Sequence, residues 1–310
     1  MDALRSDKGT FRGQRCAKLA RMRAWPLVVV ALAFEGCGGK IAVIKSVAHC
    51  PTDTVRVAYV PSDLSWLTLA GQDAIYARTR VQSLTRVALA DAAETALSIS
   101  GEIQALASNG HEVLWIEGGA LTTEHGALLQ KIDPGVLAID DAAAYVSVDG
   151  SNVLRQPLDG GASTRVTSGG AKAIAVSGDS VYVARCEILR VPKKGGSAVA
   201  IVSQSECVTS IAASGTWLYW IVGAKLELRR MPLDGSAQPE TLTDGVTHLA
   251  ADGRGAAFMT RSTLEVVDER GARRTVAQHS MPFYARGAIA LDGCSLAWFD
   301  PGGEIHRAPR

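Results

Sequence analysis

Six cysteines and six histidines carry most of the chemistry this sequence offers. The cysteines are Cys16, Cys37, Cys50, Cys186, Cys207 and Cys294. Thiols pair, ligate metals or accept acyl chains. No C-x-x-C pair occurs, so disulfides are expected over a four-thiolate zinc site. The histidines are His49, His111, His125, His248, His279 and His306. None stands in a His-x-x-x-His or His-Glu-x-x-His spacing, so no metal and no cofactor is expected. A Gly-x-Ser-x-Gly nucleophile, a P-loop and a dinucleotide fingerprint are all missing from the sequence. Asp149-Gly150-Ser151-Asn152 has the opening of a calcium loop without the acid at its twelfth position, and reads as a turn.

What must position these groups is a repeat. Residues 170–206 hold four short runs rich in β-branched residues, each closed by turn residues, which reads as four successive antiparallel strands. The second run recurs down the chain as Tyr76-Ala77, Leu114-Trp115, Tyr145-Val146, Tyr182-Val183, Tyr219-Trp220, Ala257-Phe258 and Ala297-Trp298. The steps between these pairs are 38, 31, 37, 37, 38 and 40 residues. A strand-only repeat of this period predicts an all-β fold, a seven-bladed β-propeller of four-stranded antiparallel blades. The units are 63–100, 101–134, 135–169, 170–206, 207–245, 246–280 and 281–310. The seventh lacks a fourth strand. Val55–Val60 supplies one, so the last blade is predicted to be closed by an N-terminal strand, leaving no open edge. Arg155, Arg190, Arg230 and Arg307 each precede a proline by two residues on the third strand. Recurring once per blade, they read as inter-blade contacts. The pattern resembles the seven-bladed propellers of the YWTD class, with Tyr219-Trp220 the best match. Ile221-Val222 stand where Thr-Asp completes that signature, so the resemblance implies a fold and no functional residue.

The blade map chooses among cysteine pairings. Cys186 lies between the second and third strands of blade four, and Cys207 in the connection to blade five, on the same face. Cys294 and Cys50 fall on the opposite face. Cys186–Cys207 and Cys50–Cys294 are therefore the expected disulfides. The face that carries the inter-blade loops holds Glu117, Arg185, Asp244, Arg261, His279 and Asp300 as candidate ligand-binding residues, with Asp149, Glu206, Lys225 and Arg286 beside them. Loops on a rigid scaffold are where such a fold binds.

The N-terminus is read as a targeting segment. Arg21 and Arg23 precede the apolar run Ala24–Phe34, too short to span a bilayer as a helix, which needs about 20 residues. Gly36-Cys37 follows, which resembles a bacterial lipoprotein signal and implies lipidation of Cys37. The alternative is a secretory signal with an unmodified cysteine. Residues 1–36 are assigned as signal peptide, with Met22 an alternative start, 37–53 as linker and 54–310 as propeller.

The first 36 residues carry seven Lys/Arg and three Asp/Glu, so the remainder has 25 basic and 28 acidic residues. A body this balanced has no electrostatic footprint for nucleic acid. The innermost strands, such as Ile103–Leu106 and Ala288–Leu291, are nearly bare of carboxylate and imidazole. That favours a non-enzymatic binding module at the cell envelope, lipid-anchored to a bacterial membrane, whose partner is a protein, peptide or glycan. The alternative is a propeller-type lyase or hydrolase, streptogramin-lyase-like or glycan-cleaving, whose acid–base groups converge on the axis.

Overall fold

The second strand of each blade is buried on both of its faces, and this is what stacks the sheets into a ring. The computed structural model describes residues 51–59, 64–78, 82–133, 136–278, 289–300 and 303–310. The predicted signal segment, Cys37, Cys50 and His279 lie outside the described residues. The chain opens with β1 (Val55–Tyr59). Blade one is β2 (Leu64–Ala70), β3 (Asp73–Arg78), β4 (Ser83–Ala88) and β5 (Glu94–Leu97). Blade two is β6 (Ile103–Ser108), β7 (Val113–Glu117), β8 (Ala120–Thr123) and β9 (Gly126–Gln130). Blade three is β10 (Leu137–Ile139), β11 (Ala143–Val148), β12 (Asn152–Pro157) and β13 (Thr164–Ser168). Blade four is β14 (Ala173–Ser177), β15 (Ser180–Ala184), β16 (Glu187–Pro192) and β17 (Val199–Ser203). Blade five is β18 (Val208–Ala213), β19 (Trp217–Val222), β20 (Glu227–Pro232) and β21 (Glu240–Thr243). Blade six is β22 (His248–Asp252), β23 (Gly255–Met259), β24 (Thr263–Asp268) and β25 (Arg273–Gln278). Blade seven is β26 (Ile289–Leu291), β27 (Ser295–Phe299) and β28 (Glu304–Pro309), completed by β1.

Each blade is thus a four-stranded antiparallel sheet, and the seven-bladed reading holds. Alternate residues of a second strand point to opposite faces. In β19, Tyr219 and Ile221 join the apolar cluster shared with blade six, while Trp220 and Val222 join the one shared with blade four. In β7, Val113 and Trp115 face blade one, and Leu114 and Ile116 face blade three. Every seam of the ring is filled in this way. A strand that serves two seams needs apolar residues in succession, which is why these strands read as continuous hydrophobic runs.

The closing strand pairs as predicted but not with the predicted alternation. Val55 lies opposite Arg307, Arg56 opposite His306, Ala58 opposite Ile305 and Tyr59 opposite Glu304. Val57 is the extra residue of a bulge. A bulge breaks the two-residue period, so Val57 is buried at 7% exposure while Val55 and Tyr59 stand at 45% and 66%. The three therefore do not share one face as simple alternation requires.

Turn chemistry follows the sequence. Asp149 and Gly150 both have positive φ, 54° and 60°, at the centre of the tight turn that joins β11 to β12 and that the Ser151 amide closes onto the Val148 carbonyl. The calcium-loop likeness is therefore a turn. Pro157, Pro192, Pro232 and Pro309 each end a third strand, where a missing amide donor costs no ladder bond. Glu124 and His125 turn the short last hairpin of blade two.

Cys186 and Cys207 form a disulfide, with Cα atoms 3.7 Å apart. The bridge ties the β15–β16 hairpin to the segment leading into β18, where the Val208 amide also donates to the Arg185 carbonyl at 2.6 Å. By chain entropy alone a loop of this size is worth about 3 kcal/mol. Cys294 is disulfide-bonded as well, and Cys50, its predicted partner, lies outside the described residues.

Candidate functional site

Two faces of the ring compete for the site. The loop face carries the hairpins between second and third strands together with the inter-blade connections. The turn face carries the other two connections of each blade.

On the loop face, two of the predicted residues, Glu117 and Arg185, brace seams between blades. Glu117 is buried, and its Oε2 accepts the Ser100 amide at 2.8 Å. Arg185 donates through Nε to the Gly170 carbonyl and through Nη2 to the Ser168 carbonyl at 3.1 Å. Asp133, not singled out by the sequence, accepts the Gly150 amide at 2.7 Å and the Ser147 hydroxyl at 2.8 Å. Gly170 packs against the same hairpin from the other side, since a Cβ there would overlap the Gly150 carbonyl. Asp244 and Arg261 are exposed. Asp300 is buried on the β27–β28 hairpin, and its Oδ2 lies 2.8 Å from His306 Nε2. His306 belongs to β28, the third strand outward, paired with the outermost strand. This imidazole–carboxylate pair therefore sits at the rim of blade seven, not at the axis where a propeller lyase or hydrolase would gather its groups. Closer to the axis, His248 is the first residue of inner strand β22, and its Nδ1 lies 2.9 Å from the Thr247 hydroxyl.

The recurrent tyrosines and arginines are structural, as their periodicity implies. Tyr145, Tyr182 and Tyr219 lie directly across from Arg155, Arg190 and Arg230 on the neighbouring strand. The Tyr182 hydroxyl donates to the Leu233 carbonyl at 3.2 Å and Arg190 Nη1 to the Asp234 carbonyl at 3.3 Å, both in blade five. Arg230 Cζ lies 4.2 Å from the Trp217 ring centroid, and its Nε donates to Glu240.

A second staple follows each of two strand-ending prolines. Lys193, after Pro192, pairs with Asp140 of blade three at 2.6 Å. Arg310, after Pro309, pairs with Asp252 of blade six in the equivalent place. Burial works to raise the Asp140 carboxyl, but hydrogen bonds from Lys193 and from the Ala142 and Ala143 amides outweigh it and hold the group below its usual range. Burial, with help from the Asp140 charge, pushes the Tyr145 hydroxyl up to about 12.

The turn face offers a cavity of about 330 Å³ at the outer end of blade six. Arg254, Arg273, Arg274 and Arg310 line it, with Asp268 and the aliphatic Val266, Val267 and Ala272. The sequence gives no hint of it, because the four arginines come from a turn, an outer strand and the far end of blade seven. Arg273 is held by Glu265 at 2.7 Å and by the Leu242 carbonyl at 3.1 Å. Arg310 is nearly buried and paired with Asp252. Burial pulls its guanidinium down to about 10, which leaves it charged at neutral pH. Among the described residues Arg274 reaches only the Pro309 carbonyl, at 3.3 Å, and Arg254 is exposed. Both keep guanidinium donors for a ligand. Guanidinium forks bind carboxylate and phosphate in bidentate fashion.

No protein-family profile matches the chain, and no curated protein matches it in sequence. Solved structures do match in shape. A streptogramin B lyase aligns over 82% of this chain and 97% of its own, at 10% identity and a TM-score of 0.60. YCF48, solved bound to a D1 peptide, aligns over 84% of this chain and all of its own, at 10% identity and a TM-score of 0.58. PorZ, an essential bacterial surface component of the type-IX secretion system of Porphyromonas gingivalis, aligns at 10% identity and a TM-score of 0.60. The match covers 79% of this chain and 36% of PorZ. At such identities the likeness shows the propeller fold and nothing finer.

Proposed function

We propose that this protein is an exported β-propeller, tethered to a bacterial envelope membrane by lipid on Cys37, that binds a protein, peptide or glycan bearing acidic groups. The observation that carries the binding reading is the groove at blade six. Its cationic lining is guanidinium, a group that recognises oxyanions and does not exchange protons near neutral pH, so it suits recognition more than acid–base chemistry. The Cys186–Cys207 bridge supports export, because disulfides persist in oxidising compartments. The same fold accommodates a peptide in YCF48 and a lyase in the streptogramin B enzyme. The rim position of the His306–Asp300 pair favours the first kind of use here.

The test is interferometry of the oxidised propeller against a glutamate-rich peptide, polygalacturonate and neutral dextran. Binding is expected for one or both acidic probes and not for dextran, weakening as salt screens the charges. Arg254→Ala with Arg274→Ala should lower affinity at least roughly tenfold, given the ~1.5–3 kcal/mol typical of a hydrogen bond to a charged group. Equal binding of dextran, or a double variant that binds like the parent, contradicts the reading.

A further inference from the structure

Blade seven brings three metal-ligating side chains to one point. Asp300 comes from the β27–β28 hairpin. Glu304 and His306 are two residues apart on β28 and so share a face of the strand. His306 Nε2 lies 2.8 Å from Asp300 Oδ2 and 3.6 Å from Glu304 Oε2. All three ligand atoms lie within 4.8 Å of one another.

The supporting contacts are arranged as they are around a metal. One oxygen of each carboxylate accepts a hydrogen bond and the other faces His306. Asp300 Oδ1 accepts the Glu304 amide at 2.9 Å, and its Oδ2 lies 2.8 Å from His306 Nε2. Glu304 Oε1 accepts Arg56 Nη1 at 2.8 Å, and its Oε2 faces His306. The imidazole is held flat against Trp298, with centroids 5.1 Å apart and planes 18° apart. Ligating side chains are oriented by this kind of outer contact. Donor atoms around a tetrahedral zinc stand about 3.3 Å apart, given bonds near 2.0 Å. The two spacings to His306 bracket that value.

We propose that Asp300, Glu304 and His306 form a three-ligand site for a Zn²⁺-like divalent metal, with water completing the shell. One imidazole and two carboxylates make a nitrogen–oxygen set suited to zinc or manganese more than to a soft, thiolate-seeking ion. When Nε2 ligates, His306 carries its hydrogen on Nδ1, and the metal replaces the contact between Nε2 and Asp300 Oδ2. The Arg56 cation, bound to the outer oxygen of Glu304, moderates the affinity. It also makes the site part of ring closure, because Arg56 belongs to β1 and pairs across to His306. Metal here would clasp the hairpin, the third strand and the closing strand together.

Isothermal titration of the metal-stripped, oxidised protein with ZnCl₂ tests this, with CaCl₂ as the contrasting hard ion. One equivalent of zinc and a raised Tm are expected, with calcium weaker on both counts. Co²⁺ should give visible ligand-field bands of a low-symmetry nitrogen–oxygen site. His306→Ala should abolish the bands and the rise in Tm, and Arg56→Ala should change zinc affinity by roughly 10–100-fold, as outer contacts do. Glu94→Gln, on the exposed last strand of blade one, should change nothing. Should His306→Ala fail to fold, Asp300→Asn and the cobalt spectrum of the parent carry the same decision. No uptake of zinc, or uptake and stabilisation unchanged in His306→Ala and Asp300→Asn, overturns the site and leaves a hydrogen-bonded latch.

Discussion

Deletion of Val55–Tyr59 is expected to unfold the ring under conditions where removal of residues 1–36 leaves it intact. Among the described residues β1 is the only partner of the outer edge of β28. Without it, β28 exposes a row of unpaired amides and carbonyls and the buried Val57 leaves the apolar cluster that spans blades six, seven and one. Burial of one valine contributes about 1.5–3 kcal/mol, and each ladder hydrogen bond a further ~0.5–1.5 kcal/mol. The loss is therefore on the order of 5 kcal/mol, comparable with the whole stability of an ordinary domain. Paired thermal melts of the two truncations decide the matter. A Val55–Tyr59 deletion that melts like the intact body would mean that the ring does not depend on this strand.

Trp220→Ala is expected to cost about 3–5 kcal/mol, the range for truncating a large buried aromatic side chain. Trp220 is fully buried on β19, in the cluster between blades four and five, beside Tyr182, Ile188 and Met231. Trp220→Phe should cost much less. The indole Nε1 is buried without a hydrogen-bond partner among the described residues, so phenylalanine forfeits volume but no hydrogen bond. Urea denaturation of the two variants measures the difference. Equal losses would show that the indole nitrogen does have a partner in solution.

How far the sequence discloses this molecule depends on how local each signal is. The repeat is legible because a second strand packed on both faces must be apolar at every position, as in Trp217–Val222, and such runs stand out against the turns between them. The Cys186–Cys207 bridge is legible because strand order alone places both residues on one face. The alternation of β1 misleads, because Val57 sits at a bulge that no residue type in the strand announces. The loop-face residues are harder to read. Glu117 and Arg185 look free in sequence, yet their partners are main-chain atoms of neighbouring loops. The arginine groove and the Asp300–Glu304–His306 cluster are invisible for a third reason. The groove needs blade seven beside blade six, and the cluster follows a strand-and-hairpin spacing, where the metal motifs sought in sequence have helical spacing.

The tether is the claim on which localisation rests. It is tested by the intact mass of the mature N-terminal peptide from protein recovered in the membrane fraction. The mature peptide is expected to begin at Cys37 and carry acyl chains, and Cys37→Ser to release the protein from the membrane. A peptide beginning elsewhere, or Cys37 present with an unmodified thiol, would contradict it.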